Sequence, residues 1–290
     1  MPKRGDKELQ KKIGKNSLKL RIDRLLILFV LVTGSIVLLY PLFWMVATSL
    51  RSTEEVYTSG ISLWVKELHF ENFVTALTAF PFFTYLKNTL LIAVCSLVLQ
   101  TISSSLAGYG FARYYAPGSN ILFVVMLATM MIPGQVTMIP QFILYKNFGW
   151  INTLYPLIVP AAFAGAFNTF LLRQFYMRLP ANLADAAKLD GCNDFQIWLK
   201  IYLPLAKPVL TTVAIFEFIG KWNDFMGPLI YINSDRLKTL ALGLQTFQGR
   251  YVTKVNLLMA VSLVVILPCI ILFFCFQEEF MKGIAITGEK

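Results

Sequence analysis

The sequence predicts an all-α, polytopic membrane protein with six transmembrane helices. Three observations carry that expectation. Hydrophobic residues make up 57% of the 290-residue chain and charged residues only 14%, against roughly 25% charged in soluble domains. Charges bracket long uncharged runs between Arg24 and Arg51, Lys87 and Arg113, Lys146 and Arg173, and Lys254 and Glu278. Each run reaches the ~20 residues that carry a helix across ~30 Å of hydrocarbon. Finally, residues 1–24 hold nine Lys/Arg against three acids, the basic flank that favours retention on the cytoplasmic side.

The expected spans are residues 25–49, 84–112, 120–145, 153–175, 201–231 and 256–277. The first follows the basic tail and is too long for a cleaved leader, with no small-residue cleavage site after it. Residues 51–83 read as an outer loop carrying Glu54, Glu55, Glu67 and Glu71. The second and third spans meet in a tight turn at Pro117 and Gly118, and 146–152 is a second short connection. The fifth span is interrupted by Glu217 and Lys221, whose i,i+4 spacing lets them pair on one helical face. With both termini inside, 17 basic residues fall on the cytoplasmic side and 9 outside. The order is thus a basic tail (1–24), a membrane domain (25–282) and a short cytoplasmic tail (283–290).

Other residue types narrow the chemistry. Cys95, Cys192, Cys269 and Cys275 lack metal-type spacing, and His69 is the only histidine, so zinc sites and a His-based triad are not expected. The basic excess sits in the tail rather than on a soluble face, which argues against nucleic acid. No Gly-x-x-x-x-Gly-Lys-Ser/Thr phosphate loop occurs, so the chain is not expected to hydrolyse ATP. Pro41, Pro133, Pro140, Pro156, Pro160 and Pro268 lie within spans. Each removes a backbone donor, marking either irregular packing or a helix broken beside a pathway.

The segment 178–204 is the most informative. Pro180 suits a first helical turn; Leu183, Ala186, Ala187 and Asp190 continue the helix, and Gly191 can end it in the left-handed conformation. Asn193 then caps a second helix bearing Phe195, Trp198 and Leu199. The result is a cytoplasmic helix–turn–helix with Ala186 and Ala187 as a small-residue strip. It is either a knob that docks into another protein or an amphipathic interfacial linker.

Asp185-Ala-Ala, Gly191, Ile201 and Leu203-Pro204, at these spacings, resemble the EAA loop of ABC importer permeases. Met131-Ile-Pro-Gly-Gln-Val-Thr-Met-Ile-Pro140, Asn152-Thr-Leu-Tyr-Pro156, Trp222-Asn-Asp-Phe225 and Leu237-Lys-Thr-Leu-Ala-Leu-Gly-Leu244 extend the resemblance to the carbohydrate-uptake branch, over about residues 20 to 288. The resemblance implies a type I importer permease fold in a bacterial cytoplasmic membrane. It implies a second homologous permease, two cytoplasmic ATP-binding subunits that hold ATP and Mg, and an extracellular or periplasmic sugar-binding protein. Asp185, Ala186, Ala187, Asp190, Gly191 and Pro204 would then form the ATPase-coupling loop. Asp185 stands where the family has Glu, so its carboxylate reaches one methylene less far. Gln277-Glu278-Glu279-Phe280 is more acidic than the family pattern.

Candidates for the substrate path are Gln135, Asn168, Glu217, Trp222 and Asn223, with Gln100 and Gln141 also polar at membrane depth. Phe163, Phe167, Phe170 and Trp222 could serve as platforms for sugar rings. The alternative is a secondary transporter or channel without an ATPase, which would need buried ionisable groups along its path. Glu217 is the one candidate for such a group. A membrane enzyme would need clustered acids, bases or metal ligands, which the sequence lacks.

Overall fold

The computed structural model of the chain describes residues 4–180, 182–249 and 253–288, with side chains over 23–180, 182–249 and 253–277. The first three residues of the tail, Ala181 and the last two residues fall outside these, as do the side chains of Glu278 and Glu279. Among the described residues regular structure is helical, apart from one isolated β-bridge between Gln248 and Thr253.

Helix α1 (Arg4–Ser49) starts within the basic tail and runs on through Pro41. Two short helices follow, α2 (Thr53–Ser59) and α3 (Glu71–Thr78). Next comes the long α4 (Phe82–Arg113). The third expected span is not one helix. It is α5 (Ser119–Ala128) with a 3-10 turn to Met131, then α6 (Gly134–Asn147), bent by 101°. Pro133 explains the break, because the residue before a proline avoids the α region, and Ile132 is extended at φ −83°, ψ 116°.

The fourth span is α7 (Tyr155–Ile158), a 3-10 turn over Val159–Ala162, and α8 (Ala166–Arg178). Helices α9 (Asn182–Leu189) and α10 (Asp194–Ile197) follow, and a π-helical stretch over Trp198–Tyr202 leads into α11 (Leu203–Leu205). Here Leu203 donates to the Trp198 carbonyl, and Pro204 has no N–H to offer.

The fifth span differs from the single helix expected over 201–231. It is α12 (Lys207–Trp222), bent 81° from the segment before it and separated from α13 (Met226–Tyr231) by Asn223–Phe225. Helix α14 (Leu240–Gly243) precedes α15 (Val255–Gly288), which runs through Pro268. Among the described residues, four helical segments are long and apolar enough to cross a membrane, or up to six if each bent pair is one span.

Contacts divide the chain into two units. In the first, residues up to Val74 and Lys254–Leu263, the end of α1 is tied down by polar side chains. Arg51 is fully buried and donates to the Ser62 and Trp64 carbonyls at 2.7 Å each. Asn72 donates to the Ser49 and Arg51 carbonyls at 2.9 Å, and Asn256 donates to the Arg51 carbonyl at 3.2 Å. Glu55, in the segment read as an outer loop, is buried beside Arg51 at 3.7 Å. Residues 25–46 of α1 carry many exposed apolar side chains, as a lipid-facing helix requires.

The second unit, Thr75–Thr253 and Val264 onward, is built round α4 packed on α8 and α12. Gly108 permits that approach. A Cβ there would stand 3.0 Å from both the Leu172 Cβ and the Arg173 backbone nitrogen, so only a hydrogen lets the two helices meet. Ser104 and Ser105 on the same helix are fully buried.

Candidate coupling loop and membrane clefts

Helix α9 begins after Pro180 and ends as its residues dictate. Gly191 takes φ +82°, its N–H reaches the Lys188 carbonyl and the Cys192 N–H the Ala187 carbonyl, each at 3.0 Å. That is a Schellman ending, which glycine adopts without steric cost. Asn193 then caps α10: its side chain accepts from the Gln196 N–H at 2.9 Å, and Gln196 accepts from the Asn193 N–H at 3.0 Å. Lys188 and Asp194 bridge the turn at 3.5 Å.

One face of this segment is bound to its own chain. Ala187, Ile197, Trp198, Tyr202 and Ala206 share a core with Tyr109 of α4, Leu172 and Tyr176 of α8, and Val209 and Val213 of α12. The Trp198 indole donates to the Ser105 hydroxyl at 3.0 Å, and Ser105 meets the Tyr176 hydroxyl at 2.7 Å. Arg113 lies 4.8 Å above the Tyr202 ring and donates to the Tyr176 and Leu179 carbonyls at 2.6 and 2.5 Å. Those two carbonyls close the end of α8, where helical partners run out. Tyr114, just past α4, has its phenol raised well above the ordinary value by partial burial and by the neighbouring Tyr109 and Asp194.

The other face is bare. Asp185, Ala186, Lys188, Leu189, Asp190 and Gly191 are exposed, Leu189 to 91%. Ala187, expected beside Ala186 in an outward strip, points into the core at 5% exposure; adjacent helical residues lie about 100° apart and cannot share one face. Pro204 is exposed and lines a separate groove with Leu97, Thr101, Lys207 and Leu210. Leu189 escaped the sequence reading because an apolar residue on an amphipathic helix is expected to be buried.

Within the membrane portion the structure groups the substrate-path candidates into two clefts. Asn168 and Glu217 line one of about 440 Å³ with Gln100, Gly165, Phe167 and Lys221. It borders the break between α7 and α8. Pro160 has no N–H, and the Leu157 carbonyl accepts instead from Ser96 and from the Lys221 ammonium, each at 3.2 Å. The Ala161 carbonyl accepts from Ser103 at 3.1 Å and from the Gln100 amide at 3.0 Å. The Gln100 oxygen accepts from the Gly165 N–H at 2.7 Å, Ser104 at 3.0 Å and Asn168 at 3.3 Å. Polar side chains from α4 and α12 thus satisfy the backbone that the break exposes, the condition for irregular chain at membrane depth.

Two expectations change here. Asn168 is buried and engaged with Gln100 rather than free. Glu217 and Lys221 do not form the expected i,i+4 ion pair, because the ammonium turns to the Leu157 carbonyl. Among the described residues no cation lies within 4 Å of the Glu217 carboxylate.

Trp222 and Asn223 line the second cleft, about 510 Å³, with Phe225, Leu244, Gln245, Gln248 and Val265. Trp222 is a wall rather than a platform: it is 3% exposed, stacks on Phe218 at 5.3 Å and donates to the Val265 carbonyl at 3.1 Å. Gln135 is exposed at the start of α6 and lines neither cleft. Gln245 and Gln248 were missed because they lie in a loop with no periodic pattern. Further polar contacts tie the loop after α13 to the loop after α6 and to the start of α4. The Asn152 side chain, at φ 61°, accepts from the Asn233 and Ser234 N–H groups at 3.1 and 2.9 Å. Asn88 donates to the Arg236 and Lys238 carbonyls at 2.9 Å.

Comparison with known proteins sharpens this geometry. Residues 104–284 match the family described as binding-protein-dependent transport system inner membrane component. An arabinooligosaccharides transport system permease of Halalkalibacterium halodurans is 35% identical over 254 residues, 87% of this chain and 91% of that protein. A diacetylchitobiose uptake system permease of Streptomyces coelicolor is 31% identical over 259 residues, 88% of this chain and 85% of that protein. The fold is similar to a chain of a crystallised bacterial ABC transporter involved in import of the acidic polysaccharide alginate. The TM-score is 0.78 at 23% identity, covering 90% of this chain and 97% of that one.

Proposed function

Because this chain belongs to the family of binding-protein-dependent transport system inner membrane components, we propose that it imports sugars or oligosaccharides as one of two homologous permeases in a heterodimer. Two cytoplasmic ATP-binding subunits supply ATP and Mg chemistry, and this chain catalyses no reaction. A solute-binding protein delivers the sugar from outside. Both termini are cytoplasmic, which puts the 178–204 loop on the ATPase side and the 232–255 loop on the delivery side.

One observation carries this reading. The α9–α10 loop has a bare tip and a root wedged among α4, α8 and α12. A push on the tip at Asp185, Ala186, Leu189, Asp190 and Gly191 is delivered through Trp198 and Tyr202 to the helices that line the clefts. A bistable packed core transmits such a displacement as a rigid shift rather than absorbing it. The family and the names of its relatives support sugar as cargo.

The test is reversal of charge at the tip, Asp185→Lys, in the assembled importer. The expected result is lost sugar uptake with normal membrane insertion. Normal uptake in that variant, or uptake by this chain with no ATPase present, overturns the reading.

A further inference from the structure

We propose that the segment 57–70 is an interfacial anchor that seats Trp64 and Ile61 among lipid headgroups, at the end of α1 remote from the basic tail. On the orientation proposed above, that is the outer leaflet. The partner is the bilayer surface, whichever sugar is carried.

Two spans fix the level. The stretch of α1 from Asp23 to Ser49 has 27 residues, which at ~1.5 Å each rise ~40 Å, the thickness of a bilayer with its headgroups. With Asp23 and Arg24 at one surface, Arg51 lies at the other. The last span begins at the same height, because Asn256 in the first turn of α15 donates to the Arg51 carbonyl at 3.2 Å. Arg51 is fully buried where the two spans meet.

The segment is pinned to that boundary through its backbone. The Arg51 guanidinium donates to the Ser62 and Trp64 carbonyls at 2.7 Å each. The His69 N–H donates to the Leu50 carbonyl at 2.8 Å, and the Lys66 N–H to the Glu55 carboxylate at 3.0 Å. These bonds set the height of the chain and leave its apolar side chains bare. Trp64 is 80% exposed and Ile61 78%, and Tyr57, Leu63, Leu68 and Phe70 are exposed with them.

So many bare apolar groups in one short segment mark an interaction surface. At headgroup level the favoured occupant is an aromatic with an apolar body and one polar atom, as an indole is. The surface also continues an apolar one: Tyr40, Phe43 and Val46, on the last turns of α1 before the boundary, are exposed. Charge does not hold the segment to anionic lipid, since the exposed acids Glu54, Glu67 and Glu71 surround the single exposed Lys66. Buried apolar area must do so instead, and such a contact is not screened by salt.

The experiment uses the assembled importer in liposomes of phosphatidylcholine brominated either near the headgroup or near the chain end. The share of fluorescence due to Trp64 is the difference between the unmodified importer and Trp64→Phe. That share is expected to be quenched strongly by the shallow bromines and weakly by the deep ones. Raised salt should leave the quenching unchanged, and so should added binding protein. Bromines in both leaflets make the reading independent of orientation. No quenching at either depth overturns the proposal. Loss of quenching in salt also overturns it, as does loss on adding the binding protein, which would make the segment a docking face for that protein. A second measurement needs no substitution: a phospholipid with a photoactivatable diazirine beside its headgroup should label the 57–70 peptide of the unmodified importer. Absence of label there overturns the proposal even where Trp64→Phe fails to assemble.

Discussion

Trp198 of the exposed loop donates its indole N–H to Ser105 of α4 at 3.0 Å, beneath a loop tip whose Leu189 is 91% exposed. The same hydroxyl contacts Tyr176 of α8 at 2.7 Å. One serine therefore joins the loop to two helices that border the membrane cleft.

Ser105→Ala should leave the Trp198 indole and the Tyr176 hydroxyl without this shared partner. The expected cost is about 1–3 kcal/mol for a buried polar group left unpaired. Thermal unfolding of the purified complex should show it. The ratio of ATP hydrolysed to sugar imported should rise as well, since the loop would move without carrying the helices with it. An unchanged melting temperature would count against a shared joint.

Gly108→Leu should force α4 and α8 apart. Even a Cβ would lie 3.0 Å from Leu172 and from the Arg173 backbone, and a backbone neighbour cannot rotate away. Overpacking of this kind costs about 1–3 kcal/mol. The measurable outcome is a lower yield of folded, co-purifying subunit, with Gly108→Ala intermediate.

Leu189→Ser separates docking from folding. So exposed a side chain should change stability by no more than about 0.5 kcal/mol. If the tip seats in an ATPase groove, uptake and co-purification with the ATPase should nonetheless fall. Gly191→Ala is the complementary variant. At φ +82° a Cβ costs about 1–2 kcal/mol, so the tip should loosen and protease cleavage near 188–193 should increase.

Gln100→Leu should leave the Gly165 N–H and the Asn168 amide without this partner, while the Ala161 carbonyl keeps Ser103. Each buried group left unsatisfied costs about 1–3 kcal/mol, so a large drop in melting temperature is expected. Gln100→Glu keeps the acceptor but loses the donor to Ala161, and it should fall between the two.

Asn256→Leu tests the first unit. Asn256 donates to the Arg51 carbonyl at 3.2 Å and contacts the Asn72 side-chain oxygen at 3.3 Å. Its loss should destabilise the 51–74 segment by about 1–3 kcal/mol. Limited proteolysis should then cut within 60–68 earlier than in the unmodified chain.

The sequence by itself determined the membrane character, because a lipid-facing helix and its charged ends are local properties. Run length and charge placement are read one segment at a time, and α1, α4 and α15 fall where those runs fall. Local chemistry also determined the Gly191 turn and the Asn193 cap, each governed by contacts within a few residues. Tertiary structure decided the rest. Two expected spans are bent pairs, because the cost of a proline depends on whether another helix satisfies the freed carbonyl. Pro41 and Pro268 stay within helices, whereas the chain turns at Pro133. Ala186 and Ala187 read alike in the sequence, yet one faces outward and the other joins the core with Tyr176 and Trp198. Lys221 preferred a carbonyl 64 positions away to the glutamate one turn behind it. Only the fold brings that carbonyl within reach, and that choice leaves Glu217 open to the cleft.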